Sequence, residues 1–149
     1  SIITIAESNP CPLRGCGGRE NAGHIKDIYT GKPVNTSDIS LDHFIPWSFV
    51  LHDRLWNLAP VSRSINSSKS DLLPNLDKHL DSFIDLQFKA YTTAIENSFS
   101  KSLLEDYLVL GNGIDTSEVI REPDFREILK NTITPLHRIA QNQGFGVWR

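Results

Sequence analysis

The sequence predicts an α+β protein: a strand–loop–strand–helix core over residues 24–74, a loop-rich segment over 1–23 before it and a helical subdomain over 75–149 after it. Three observations lead there. Residues 38–61 hold two β-branched and aromatic runs on either side of an aromatic-rich loop, the composition of paired strands. Leu76, Leu80, Phe83, Ile84, Phe88, Tyr91 and Ile95 recur at three- and four-residue steps, the spacing of one helix face. Residues 9–23 contain four glycines and two prolines, which break both patterns.

Taken in order, Ser1 to Ala6 alternates weakly and is rich in β-branched residues, as an edge strand would be. Asn9 to Gly23 is loop. Ile28 to Pro33 reads as a strand end and a turn, with Gly31 and Pro33 as punctuation. Asp38 to Pro46 is the first core strand, ended by Pro46. Trp47 to Leu55 is too aromatic for a loose linker, so Trp47, Phe49, Val50 and Leu55 are expected inside a packed Ω-type loop. Trp56 to Val61 is a second strand, antiparallel to the first. Ser62 or Ser64 then caps a short helix through Ser70, because a serine hydroxyl can accept from the free N–H groups of a first turn.

Beyond Pro74 the apolar stripe from Leu76 to Ile95 makes a helix of about six turns. Asp77, Asp81, Asp85 and Glu96 fall mostly on its other face and read as a solvated surface. Phe99 to Leu110 is a second amphipathic segment, stopped by Gly111-Asn112-Gly113. Pro123 opens a helix through Lys130, and Thr134-Pro135 repeats that start signal for a last helix that Gly144 ends.

Composition sets the outer limits. With 149 residues, 39% hydrophobic and 22% charged, the chain is one soluble globular domain or one domain with an appendage. No apolar run approaches the roughly 20 residues of a membrane-spanning helix, and no secretory signal stands at the start, so no membrane partner is expected. There is no methionine, and Ser1 reads as the start of a processed chain or of a piece of a longer one. The net charge of −3 is unevenly spread. Residues 41–70 carry three basic and two acidic side chains, whereas 71–131 carry six basic and twelve acidic. The central stretch therefore tolerates a polyanion, and much of the grip on one is expected from a further domain or a homodimer partner.

Cys11 and Cys16 are the only cysteines. With His24 they offer three ligands of a tetrahedral zinc site, but two thiols in a glycine-rich turn, or a local disulfide in an exported protein, are the simpler readings, and structural Zn²⁺ is not expected.

Chemistry concentrates between Leu41 and Pro74. Cleaving a phosphodiester takes a base for water, a cation for the charge that builds on phosphate, and a frame holding both. His43 suits the first task because its ordinary pKa lies near neutrality. Asp42 suits the second, since Mg²⁺ takes one or two protein oxygens and completes its shell with water and phosphate. Neighbours on a strand face opposite ways, so Asp42 and His43 share a site only where the strand bends or where metal and water lie on two sides of its edge. Asn66 and Lys69, three apart, share a helix face, the first as a neutral oxygen ligand and the second at a phosphate. Asn57 can bond backbone near His43 and hold the loop. Elsewhere, His79 and His137 read as surface residues of helices, His52 as a solvated loop residue, and Trp47 and Trp56 as core.

Taken together, DHFIPWSF (Asp42 to Phe49), WNLAP (Trp56 to Pro60) and NSSKSD (Asn66 to Asp71), with YTGKP at Tyr29 to Pro33, resemble the HNH endonuclease family and its ββα-metal fold, most nearly the HNH domain of RNA-guided CRISPR nucleases. The resemblance covers residues 41–74 and leaves the helical half uncovered. It implies that His43 is the general base, that Asp42 and Asn66 hold a single divalent ion (Mg²⁺, with Mn²⁺ as a substitute), that Asn57 orients the His43 loop and that Lys69 contacts phosphate. Asn66 stands where the third residue of the family's name is a histidine. Members with two CxxC pairs differ from this chain, in which Asp27 takes a position where they place a cysteine. The resemblance further implies double-stranded DNA as substrate, a prokaryotic cytoplasmic setting, and a role as a restriction or antiviral-defence effector or as the nuclease domain of a larger protein. A non-cleaving DNA-binding or assembly module of the same fold, and an RNA-directed or toxin-like nuclease, are the alternatives.

Overall fold

The computed structural model of the chain describes residues 25–96, 101–110 and 119–149, with side chains from residue 104 onward in the second stretch. The strand expected at Ser1 to Ala6, the glycine-rich loop, the Cys11, Cys16 and His24 set and the Gly111–Gly113 stop all lie outside the described residues. Two antiparallel strands, β1 (Ile39–His43) and β2 (Leu58–Ser62), pair in the register Ile39 with Ser62, Leu41 with Pro60 and His43 with Leu58. Between them lies α1 (Trp47–Val50), and after them come α2 (Arg63–Lys69), α3 (Leu76–Glu96), α4 (Lys101–Leu108) and α5 (Glu122–Asn142). This is the expected strand–loop–strand–helix unit followed by helices.

The connection between the strands differs from an Ω-type loop. Pro46 pre-sets one helical turn, Trp47–Val50, and Leu51 closes it in the left-handed conformation at φ 56°, its N–H donating to the Trp47 carbonyl. A 3₁₀ turn at Leu55–Asn57 then leads into β2. Phe49, Val50 and Leu55 pack on the core as expected, but Trp47 is 49% exposed. A single helical turn cannot aim Trp47, Phe49 and Val50 all inward, and Trp47 occupies the outward position.

Helix α2 follows β2 without a linker because Ser62 caps it, its Oγ accepting from Ile65 N at 3.4 Å. The long helix α3 buries the predicted stripe: Phe83 stacks on Phe44 at 3.9 Å between ring centroids, and Gln87 Nε2 donates to the Leu58 carbonyl at 2.7 Å. One apolar core thus spans both parts of the chain, from Ile28, Phe44, Ile45 and Val61 through Phe83 and Tyr107 to Phe125 and Leu129.

The two helices expected around Pro123 and Pro135 are one. Pro123 does sit in the first turn of α5, but Pro135 lies inside the helix. An interior proline removes one hydrogen bond and costs about 3 kcal/mol. Here the buried stripe Phe125, Leu129, Ile133, His137 and Ala140 runs unbroken through that point, and its burial outweighs the break. His137 is accordingly buried, not at the surface, with Nε2 at 2.8 Å from the Pro74 carbonyl. Gly144, at φ 99°, turns the chain after α5. The tail then bridges back to the core, Leu73 N donating to Gly146 O at 2.9 Å and Trp148 N to Leu73 O at 2.8 Å. Among the described residues no helix is long and apolar enough to cross a membrane.

Candidate active site

The site is built on β1. Its alternation puts Ser40 and Asp42 on the face covered by α2, and His43 on the other. Since α2 starts directly after β2, Asn66 and Lys69 both turn toward that strand. Asn66 Nδ2 donates to Ser40 Oγ at 2.7 Å and to the Leu41 carbonyl at 3.2 Å. Lys69 Nζ donates to Asp42 Oδ1 at 3.0 Å and to the His43 carbonyl at 2.7 Å.

Lys69 was expected at a phosphate; the structure encloses it. Its side chain is 0% exposed and that of Asp42 is 2% exposed, so the pair is shut inside the protein. The physical reason is charge compensation, because a buried carboxylate needs a partner and Lys69 is the cation within reach. The Asp42 carboxyl is nonetheless raised above the usual carboxylate range: burial is the largest cause, and the attraction of Lys69 offsets it only in part. Burial likewise lowers the Lys69 ammonium, against the pull of Asp42.

The second oxygen of Asp42 accepts from the Tyr29 hydroxyl at 2.6 Å. Burial, and then the charge of Asp42, hold that hydroxyl well above its ordinary value, so it stays a donor. Tyr29 is delivered by the turn that follows Ile28. Asp27 Oδ1 accepts from Tyr29 N at 2.9 Å, its Oδ2 accepts from Ser62 N at 3.3 Å, and Gly31 at φ 69° lets the chain reverse. Asp27 therefore ties this turn to the β2–α2 junction. The Tyr29 ring packs edge-on against His79 and Trp148, at 5.1 and 5.2 Å between centroids.

On the opposite face His43 Nε2 lies 2.8 Å from Asp53 Oδ1, with the side chains 24% and 75% exposed. Asn57 fixes the backbone just past it: the Asn57 side chain accepts from Ile45 N and donates to Ile45 O, both at 2.8 Å, and Phe44 N donates to Asn57 O at 2.8 Å. Of the five predicted site residues, then, Asp42 and Lys69 touch, Asn66 reaches the same face through Ser40, Asn57 holds the strand's exit, and His43 stands across the strand from Asp42.

Among the described residues no group of three or more His, Cys, Asp or Glu side chains could hold a metal. What the α2 face does offer is one carboxylate and one amide oxygen. A carboxylate has about four lone-pair positions, of which Lys69 and Tyr29 use two. The Asn66 NH₂ is committed to Ser40 and Leu41, which leaves its oxygen for a cation. These are hard oxygen donors, the type that a divalent ion keeping waters and taking phosphate uses, with the Asp42 carboxylate enclosed against Lys69.

Sequence reasoning missed Tyr29, Asp53 and Ser40. The two-residue period of a strand was a signal for Ser40, and the YTGKP stretch for Tyr29; nothing local marks Asp53, which reaches His43 from ten residues on.

Residues 27–75 match the family model described as HNH endonuclease. No curated protein matches the chain significantly. The family match begins at Asp27 and ends just past α2, so it encloses the Tyr29 turn, both strands and the Asp42–Lys69 pair, and it leaves α3 to α5 outside.

Proposed function

We propose, from the match of residues 27–75 to the HNH endonuclease model, that this chain is a metal-dependent endonuclease that hydrolyses phosphodiester bonds in double-stranded DNA. The observation that carries the reading is the strand end at Asp42-His43: a partly exposed imidazole on one side, and on the other a carboxylate on the face where Asn66 bonds Ser40.

His43 has one ring nitrogen engaged by Asp53 and takes a proton from water at the other. Asp42 and Asn66 would hold one divalent ion, Mg²⁺ or Mn²⁺. Such an ion supplies, when bound, positive charge for the phosphate and the departing oxygen. Asn57 keeps the turn after His43 in place through its two bonds to Ile45. Lys69 positions rather than binds: it grips the Asp42 carboxylate and the His43 carbonyl together, so the two functional residues move as one unit. Arg54 is paired with Asp106, and Lys69 with Asp42. Of the three basic residues at 41–70, Arg63 alone has no ion pair among the described residues, which supports a further domain or a second subunit supplying affinity for DNA. A prokaryotic restriction or antiviral-defence role, in the cytoplasm, is part of this reading.

The engagement of Asp42 by both Lys69 and Tyr29 favours one second reading, a non-cleaving DNA-binding or assembly module. Incubation with supercoiled plasmid separates the two. Nicking is expected with Mg²⁺ or Mn²⁺, is expected to stop on chelation with EDTA, and is expected to return when the ion is restored. Binding of plasmid without cleavage at any divalent-ion concentration would establish the second reading, and cleavage of RNA in preference to DNA would move the substrate to the other nucleic acid.

A further inference from the structure

We propose that Asp53 is the positioning residue for the His43 ring, and that the helical half of the chain holds Asp53 in place through Asp106. The proposal rests on the reading of His43 as the base. Asp53 is largely in solvent, and an exposed pair of this kind adds little to stability, so packing does not account for its 2.8 Å contact with Nε2. What does account for it is a loop pinned on both sides. Before Asp53, Leu51 reverses the chain in the left-handed conformation, with its N–H bonded to Trp47 O at 2.8 Å. After Asp53, the Asp106 carboxylate in α4 takes Arg54 Nη1 at 3.3 Å on one oxygen and Leu55 N at 3.0 Å on the other.

The partner backbone is equally fixed, because Lys69 holds the His43 carbonyl and Asn57 holds Ile45. Two short side chains on two anchored backbones leave the imidazole one favoured orientation. With Asp53 ionised, the ring proton belongs on Nε2 as the donor to Oδ1, and the lone pair on Nδ1 faces away from that bond. The ring is thus set, in angle and in tautomer, before substrate arrives. A helix outside the family segment becomes part of how that segment works, since α4 contributes the carboxylate that closes the loop.

Supercoiled plasmid with Mg²⁺ is the probe, used with the full chain and with Asp53→Ala, Asp53→Glu, Asp106→Ala and His43→Ala. Asp53→Ala is expected to lower kcat by about 10- to 100-fold with KM little changed, the usual loss on removing an orienting partner. Asp53→Glu is expected to recover most of the rate, and Asp106→Ala to lower kcat in the same direction. Nitrogen-15 spectra of the ring, taken where it is neutral, are expected to show the proton on Nε2 in the parent and a tautomer mixture in Asp53→Ala. Parental kcat in Asp53→Ala alongside an inactive His43→Ala overturns the positioning role and leaves the reading of His43 intact. Unchanged kcat in Asp106→Ala removes the helical half from the proposal. Cleavage by His43→Ala at the parental rate overturns the reading underneath. A parent ring protonated on Nδ1 overturns the contact itself, whatever the cleavage assay shows.

Discussion

Replacing Lys69 with methionine is expected to destabilise the fold by about 3–5 kcal/mol, the cost of stripping one partner from a buried ion pair. Nothing in the pair's surroundings softens that cost: neither side chain has appreciable access to water, and the Tyr29 hydroxyl, the other partner of Asp42, is a neutral donor. The substitution also leaves the His43 carbonyl without its donor. The Asp42 carboxyl already binds its proton more tightly in the fold than an unfolded carboxylate does. A folded-state pKa above the unfolded one favours folding in acid, and that contribution is lost as pH rises through the folded value. Without Lys69 the effect is stronger, so the deficit of the variant is expected to be smallest in acid and to grow as pH rises. Urea unfolding of parent and variant measures it, and a loss below about 1 kcal/mol at neutral pH would mean that Lys69 is not the compensating charge. Lys69→Met combined with Asp42→Asn should recover much of the loss, because removing both charges removes the uncompensated one.

His43→Ala is expected to behave in the opposite way, with little change in stability and a large change in rate. Among the described residues its imidazole is bonded only to a carboxylate in solvent, and truncating such a pair costs under about 1 kcal/mol. A positioned general base, in contrast, contributes about 10²- to 10⁴-fold to a proton-transfer step. Plasmid nicking is therefore expected to fall by that factor while circular dichroism and the urea midpoint stay near the parental values. A variant that nicks at the parental rate removes His43 from the chemistry; one that has lost its fold as well shows that the ring does more than the structure gives it.

The frame of the site was legible because it is local. Alternation between Asp42 and His43, the three-residue step from Asn66 to Lys69 and a serine cap directly after a strand are properties of short segments, and the structure realises all of them. Asn57 was legible for the same reason, lying where the second strand pairs back against the residues after His43. What was not legible depends on partners distant in the chain. Lys69 looks like a free cation in sequence, and only the fold reveals that a carboxylate 27 residues earlier lies buried against it. Tyr29 finds Asp42 across 13 residues, and Asp106 reaches the 54–55 loop across about 50. Pro135 reads locally as a helix start, yet a stripe of buried side chains packing on α3 carries the helix through it. His137 is hidden for a related reason, since the carbonyl that receives it belongs to Pro74. Trp47 errs the other way: a large aromatic was expected inside, and one turn of helix leaves it half in solvent.

The claim that Asp42 and Asn66 hold the ion required for cleavage is tested most directly by the rate of plasmid nicking as a function of Mg²⁺ concentration in the parent and in Asn66→Ala. The Asn66 side chain is partly exposed and, among the described residues, bonded through its NH₂ to Ser40 and Leu41, so the variant is expected to keep the hairpin and lose one oxygen ligand. The expected result is a half-saturating Mg²⁺ concentration shifted clearly upward in the variant, with residual nicking recovered at high Mg²⁺. Identical Mg²⁺ curves for the two proteins, or a parent that does not nick at any Mg²⁺ concentration, would contradict it.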